Sequence, residues 1–186
     1  MASTDPLVWI DCEMTGLDPD SDTIMSIACF ITDAELNLYD DKGFEVVIHH
    51  EQEDLDRMGQ WCTEQHGKSG LTQACLESTT SATQAATDLL AYIQNCVPRA
   101  RVALLAGNSV HADKSFLAKP PYKAVVDYLH YRILDVSSIM EGARRWAPEL
   151  VKGAPKKLKL HDAREDILES IQEARYYRDT LFWNNR

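Results

Sequence analysis

The segment LVWIDCEM (7–14) is short, apolar and rich in β-branched and aromatic residues, which is the pattern of a buried strand. DPDSD (18–22) reads as a turn, and TIMSIACFITD (23–33) as a second strand. LNLY (36–39) and FEVVIHH (44–50) suggest a third strand with its hairpin. Strands this close in sequence pair antiparallel. From about 51 to 97 the period becomes helical. Its clearest stretch is 82–96, where Ala82, Ala85, Ala86, Leu89, Leu90 and Ile93 form an apolar stripe behind the Thr/Ser cap region 78–81. The unbroken apolar run RVALLAG (101–107) predicts a central strand, followed by a GNS loop (107–109) and a helix from near Ala112. YRILDV (131–136) predicts another strand. SSIMEGARRWA (137–147) predicts a helix capped by Ser137 or Ser138 and stopped by Pro148. GAPKKLK (153–159) reads as a loop and 163–183 as a final helix.

The order β-β-β-α-β-α-β-α implies an α/β fold, a mixed five-stranded sheet with helices on its faces. In such sheets function gathers at the carboxyl ends of the parallel strands. A chain of 186 residues without repeats, low-complexity tracts or a linker is expected to form one domain, residues 1–186. At 45% hydrophobic and 26% charged residues it is ordinary for a folded protein, which excludes disordered and collagen-like classes. The net charge of -10 disfavours a protein that coats duplex nucleic acid, though not one that holds a small phosphate substrate with metal ions. No stretch approaches the roughly 20 apolar residues of a membrane span, and MASTDPL does not resemble a signal or transit segment. The five dispersed cysteines, without a CxxC, fit a reducing compartment, so an intracellular location, cytoplasmic or mitochondrial, is expected.

Asp11 and Glu13 lie two apart in the first strand, so both side chains face one side. Two acids in so apolar a strand suggest pairing or a metal, because a desolvated carboxylate costs several kcal/mol; a solvated strand end is the alternative. Asp113 falls in the first turn of the helix after the central strand, at the same sheet edge, where the helix dipole alone could also favour it. In LHDARED (160–166), Asp162 and Glu165 read as a capping box, with His161 just ahead of the helix and Asp166 in its first turn. With His161 outside the helix, it and Asp166 can approach one point; a capping cluster with an incidental histidine is the alternative. Taken together, these acids repel unless cations lie between them. Hard oxygen ligands suit Mg²⁺ or Mn²⁺. Two such ions ~3.5–4 Å apart serve phosphodiester cleavage, with His161 as the base.

The ordered series D-x-E-M-T-G-L (11–17), W-C-x-E-Q-H-G-K-S-G-L (61–71), A-G-N-S-V-H-x-D-x-x-F-L (106–117), H-Y-R-I-x-D-V-S (130–137), R-R-W (144–146) and H-x-A-x-x-D-I-x-E-S-I (161–171) resembles the oligoribonucleases. These are 3′→5′ exonucleases of the DEDDh group with an RNase H-like fold. The resemblance covers about residues 7 to 183. It implies that Asp11, Glu13, Asp113 and Asp166 hold two divalent ions, that His161 is the general base, and that very short RNA, chiefly dinucleotides, is cut to 5′-mononucleotides by a homodimer. Ser26 stands where the family usually has Glu, and Arg164 and Glu165 stand where it usually has Leu-Asp.

The resemblance also implies a device that measures length. Leu17 wedges between two bases, and Trp61 and His66 line the scissile end. Ser109, Arg132 and Ser137 cap the 5′-phosphate, and Tyr131 reaches in from a second subunit. An apolar wedge and an aromatic wall suit unstacked bases. Packing roles remain open for Trp61 and Leu17, and an ion pair with Asp135 for Arg132. Asp18, Asp20 and Asp22 begin like a calcium loop but lack the glycine and glutamate it needs, and read as a turn. Cys62 and His66 lack a second ligand pair for zinc. His49-His50 reads as a strand terminus, and Lys152, Lys156, Lys157 and Lys159 as a solvated loop beside His161. Two rivals stand beside the oligoribonuclease reading: a DEDDh exonuclease of longer strands, and a catalytically dead RNA-binding domain.

Overall fold

A computed structural model describes residues 5–156 and 163–183. Leu7–Met14 form β1, Ile24–Thr32 β2 and Phe44–Val47 β3. Four helices follow: α1 (Gln52–Leu55), α2 (Gln60–Ser69), α3 (Leu71–Glu77) and α4 (Ala82–Cys96). Then come β4 (Leu104–Gly107), α5 (His111–Leu117), α6 (Lys123–Tyr128) and β5 (His130–Asp135). The chain continues through α7 (Val136–Trp146), α8 (Pro148–Lys152) and α9 (Ala163–Tyr177), which passes into a π-helical segment, Arg178–Trp183.

The five strands form one mixed sheet in the order β3-β2-β1-β4-β5. β1 pairs antiparallel with β2, and β2 with β3; β1–β4 and β4–β5 are parallel. Every residue of β2 is buried, so its sequence is apolar throughout instead of alternating. The two faces of β1 go to different cores. Val8, Ile10 and Cys12 pack with Leu89 and Ile93 of α4 and with Phe116 of α5. Leu7 and Trp9 pack with Val136 of α7 and with Ile167 and Ile171 of α9. Asp11 and Glu13 continue this second row, so the strand's own alternation turns both acids toward α9.

Several boundaries depart from the sequence pattern. Residues 36–39 contribute only an isolated bridge, Thr32 to Leu38, because the chain turns at Leu36 with φ of 66°. The central strand begins at Leu104, not at Arg101, whose φ of 64° places a turn there. α7 is capped by Asp135, whose carboxylate accepts from the Ser137 N–H; neither Ser137 nor Ser138 is the cap. Pro148 sits at the first position of α8, where its missing N–H costs nothing. α6 has no sequence counterpart, since KAVVDY is too short and β-branched to show a helical period. The final helix gives way to π-helical turns after Tyr177. α4, by contrast, spans the predicted 82–96, with Ser81 as its N-cap accepting from the Gln84 N–H.

Candidate active site

β1 outlasts its parallel neighbour. Its last pairing with β4 is Trp9 to Ala106, and the strand runs on to Met14. Along that vacated edge the Cys12 N–H donates to the Asp113 carboxylate at 3.0 Å, and Asp113 is buried in the first turn of α5. Burial pushes the Asp113 carboxyl up to about 7. The Cys12 thiol is pushed well above its usual range, by burial first and then by the negative charges of Asp113, Asp11 and Glu13 around it.

On the α9 side of β1, Asp11, Glu13 and Asp166 each offer a carboxylate oxygen, and these lie within 4.8 Å of one another. Three half-buried acids so close repel strongly unless positive charge joins them. All three donors are hard oxygens, so the set fits Mg²⁺ or Mn²⁺. The structure therefore brings three of the four predicted acids into one group. It places Asp113 beside them, outside the group, with its oxygen on the Cys12 amide. His161 and Asp162, and with them the capping box, lie outside the described residues.

His66, on α2, is buried; its Nε2–H donates to the Met14 carbonyl at 3.0 Å and its Nδ1 lies 3.9 Å from the Glu13 carboxylate. Trp61, one turn earlier on the same helix, is 62% exposed, so it is no core residue. Leu17 is 87% exposed, on the loop leaving β1. That loop is drawn tight by Asp22, which accepts from the Thr15 hydroxyl and the Asp18 N–H, both at 3.0 Å. A Cβ at Gly16 would lie 2.3 Å from the Asp22 carboxylate, so a larger residue before Leu17 would displace that carboxylate from its bonds to Thr15 and Asp18. Asp18 accepts from Asp20 and Ser21, and Asp20 pairs with Lys119; the segment is the turn its sequence suggested. Among the described residues Cys62 joins no metal-holding group. His50 follows β3, accepting from the Thr23 hydroxyl and donating to the Ile48 carbonyl. Lys152 pairs with Glu149, while Lys157 and Lys159 lie outside the described residues.

A second polar corner lies at the carboxyl ends of β4 and β5. Asp135 Oδ1 accepts from the backbone N–H groups of Ser109 and Ser137, at 2.9 and 3.0 Å. The Ser109 hydroxyl donates to that of Ser137, which donates to Asn108 Oδ1, each at 3.2 Å. The Asn108 amide donates to Ser170 and Glu173 of α9 at 2.9 and 3.1 Å. Ser109 is held at φ 51°, an uncommon value for a residue with a Cβ. Because Asp135 takes both amides, a phosphate here would meet the serine hydroxyls and not these backbone N–H groups. Arg132 is exposed, with its guanidinium 5.2 Å from the Tyr131 ring, and Tyr131 is 66% exposed. Among the described residues Arg132 forms no ion pair with Asp135, whose other oxygen lies 3.7 Å from His111. Sequence reading missed Asn108, Ser170 and Glu173 as supports. It also missed Asp135 as the hub, although a carboxylate two residues before a serine at a helix start is a recognisable cap signal.

The exonuclease family model (RNase_T) matches residues 8–174. A probable oligoribonuclease of Schizosaccharomyces pombe is 48% identical over 96% of this chain and 68% of its own length. The mitochondrial oligoribonuclease of Bos taurus is 48% identical over 95% of this chain and 73% of its own. Among solved structures, S. pombe Pop2p in its Mg²⁺- and Mn²⁺-bound form superposes with a TM-score of 0.71 over 95% of this chain and 84% of that one. At 16% identity this likeness shows the fold alone, that of RNase H-like exonucleases. With its fold, its acidic cluster and these relatives in agreement, the chain belongs to the oligoribonucleases, nuclease enzymes of the exonuclease family.

Proposed function

We propose that this protein is a 3′→5′ exoribonuclease of very short RNA, chiefly dinucleotides, and that it releases 5′-mononucleotides. The observation that carries the reading is the convergence of Asp11, Glu13 and Asp166, with the exposed apolar Leu17 on the loop leaving β1 and exposed Trp61 on the helix that carries His66. Asp11, Glu13 and Asp166, with Asp113 alongside, would hold two divalent ions, Mg²⁺ or Mn²⁺. When bound, these supply the Lewis acidity that phosphodiester cleavage draws on. His161 accepts the proton of the attacking water at an imidazole nitrogen; the new P–O bond forms as the bond to the leaving 3′-oxygen breaks. His66, fixed by Met14, shapes the wall beside Glu13. Leu17 parts the bases and Trp61 stacks on the terminal one.

The Ser109, Ser137 and Arg132 corner grips the 5′-phosphate, and Tyr131 completes it from a second subunit. Tyr131 stands out from the surface beside Arg132, which supports a homodimer. So does the apolar groove of about 310 Å³ between α7 and the C-terminal turns, flanked by exposed Trp146 and Phe182. The compartment we propose is intracellular, cytoplasmic or mitochondrial, in keeping with the relatives' names. No described helix is long and apolar enough to cross a membrane.

Turnover of labelled RNAs of about two to seven nucleotides, with Mg²⁺, with Mn²⁺ and with chelator, tests the reading directly. Dinucleotide should be consumed fastest, and only with metal. Undiminished turnover in chelator, or equal rates at every length, would overturn it. Sedimentation should show a dimer; an active monomer would remove Tyr131 from the site.

A further inference from the structure

We infer that Arg164 is a positioning residue that sets the first turn of α9, and through it Asp166, against the acids of β1. The inference rests on the proposed role of Asp166 in holding a divalent cation. Arg164 does not extend into solvent as a charged residue in an outer helical turn commonly does. Its guanidinium donates to the backbone carbonyls of Lys42 and Asp41, at 2.6 and 2.8 Å, and to the Glu45 carboxylate. Its planar face lies over the Phe30 ring, 4.8 Å from the centroid. These contacts tie the helix to the β2–β3 connection and to β3 itself.

The register shows what this grip controls. Asp11 pairs with Ala28, and Ala28 with Glu45, so the three form one row across β1, β2 and β3. Glu13, Ser26 and Val47 form the next row on the same face. The start of α9 spans these rows: Arg164 holds the outermost strand while Asp166 meets the acids of the innermost. The small residues Ala28 and Ser26 occupy the middle strand between them. Ala163 and Ile167 are the buried face of this turn. At about 100° per residue, Arg164 and Asp166 project from opposite flanks of that face. The helix is thus held from both sides, and a rotation that withdraws Asp166 must also pull Arg164 from Glu45. The fork of Arg164 suits this duty, since it satisfies two carbonyls and a carboxylate with one planar group.

The test compares Arg164→Leu, Arg164→Lys, Glu45→Gln and Asp166→Asn with wild type. Calorimetric Mn²⁺ titration, dinucleotide kinetics and thermal melting are measured on each. Arg164→Leu should weaken Mn²⁺ binding and lower kcat by about 10- to 100-fold, the usual cost of losing a group that orients a metal ligand. KM for the dinucleotide and the folded state should be kept. Arg164→Lys should recover part of the loss, and Arg164→Leu combined with Glu45→Gln should lose no more than Arg164→Leu alone. If Arg164→Leu does not fold, Glu45→Gln must still weaken Mn²⁺ binding by about threefold. Wild-type Mn²⁺ affinity in folded Arg164→Leu, or in Glu45→Gln where that variant alone folds, overturns the inference. Wild-type Mn²⁺ affinity in Asp166→Asn overturns instead the metal reading on which it rests.

Discussion

The acid cluster and the Ser109–Ser137 corner both sit at the carboxyl end of the parallel strands, yet they are built on opposite plans. In the cluster, a strand and a helix bring three carboxylates within 4.8 Å of one another, a set of hard oxygens that suits a divalent cation. In the corner, one carboxylate, Asp135, gathers amides and hydroxyls into a network that is satisfied without any ligand. The first region gathers acidic oxygens at one point. The second fixes a shape; in the proposed reading, attraction for the phosphate comes from the exposed guanidinium of Arg132. Losses at the first should therefore be losses of chemistry, and losses at the second losses of selection.

The largest expected effect is at the cluster. Chelation, or Asp11→Asn, should cut turnover at least about 10³-fold, the scale on which preorganised charge stabilises a transition state. Dinucleotide binding should fall far less in Asp11→Asn, and an active Asp11→Asn enzyme would end the comparison. Next, His161→Ala should slow the chemical step by roughly 10²–10⁴-fold while leaving Mn²⁺ binding in place. The wild-type rate should rise with pH as the imidazole loses its proton. An unchanged rate in His161→Ala would mean that another group takes that proton.

At the corner the signature should be affinity. Arg132→Ala should weaken dinucleotide binding at least about 30-fold, from the ~2–5 kcal/mol lost when one partner of a desolvated charge pair is removed. Removing the 5′-phosphate from the RNA should cost wild type a similar amount and the variant little more. Additive losses would place Arg132 outside the phosphate grip.

The smallest effect concerns Asp113 in chelated protein. Its carboxyl titrates at about 7 when folded and near 4 when unfolded. Between those values the folded chain keeps a proton that the unfolded chain has lost. Stability from this residue is therefore fully present below about pH 4 and falls as pH rises toward 7. Melting temperature should drop across that window, and Asp113→Asn should flatten the drop. A flat wild-type profile would show that Asp113 is ionised throughout.

Much of this was legible in the residues themselves. The stripe from Ala82 to Ile93 gave α4 its limits because a long helix with a serine cap advertises both period and start. Asp11 and Glu13 were readable as one face because strand alternation fixes it. Asp166 was placed near them by motif order, which the cluster supports. Other features depended on register and distance, which local pattern does not carry. That β1 outruns β4, and so leaves an amide for Asp113, is a matter of strand length in a neighbour nearly a hundred residues away. The tie from Asn108 to Ser170 and Glu173 crosses more than sixty residues. Trp61 and Leu17 could be told from core residues only by their exposure.

The bond from Cys12 to Asp113 has a practical consequence for anyone who wants to trap the enzyme with its substrate. Where β1 outruns β4, the Asp113 carboxylate supplies the acceptor that the buried Cys12 amide would otherwise lack. Truncation to alanine would silence the residue and at once leave a buried amide without an acceptor. Asparagine keeps an oxygen for the amide and removes only the charge. Asp113→Asn is therefore the variant to crystallise, and Asp113→Ala the one to expect with a lowered melting temperature.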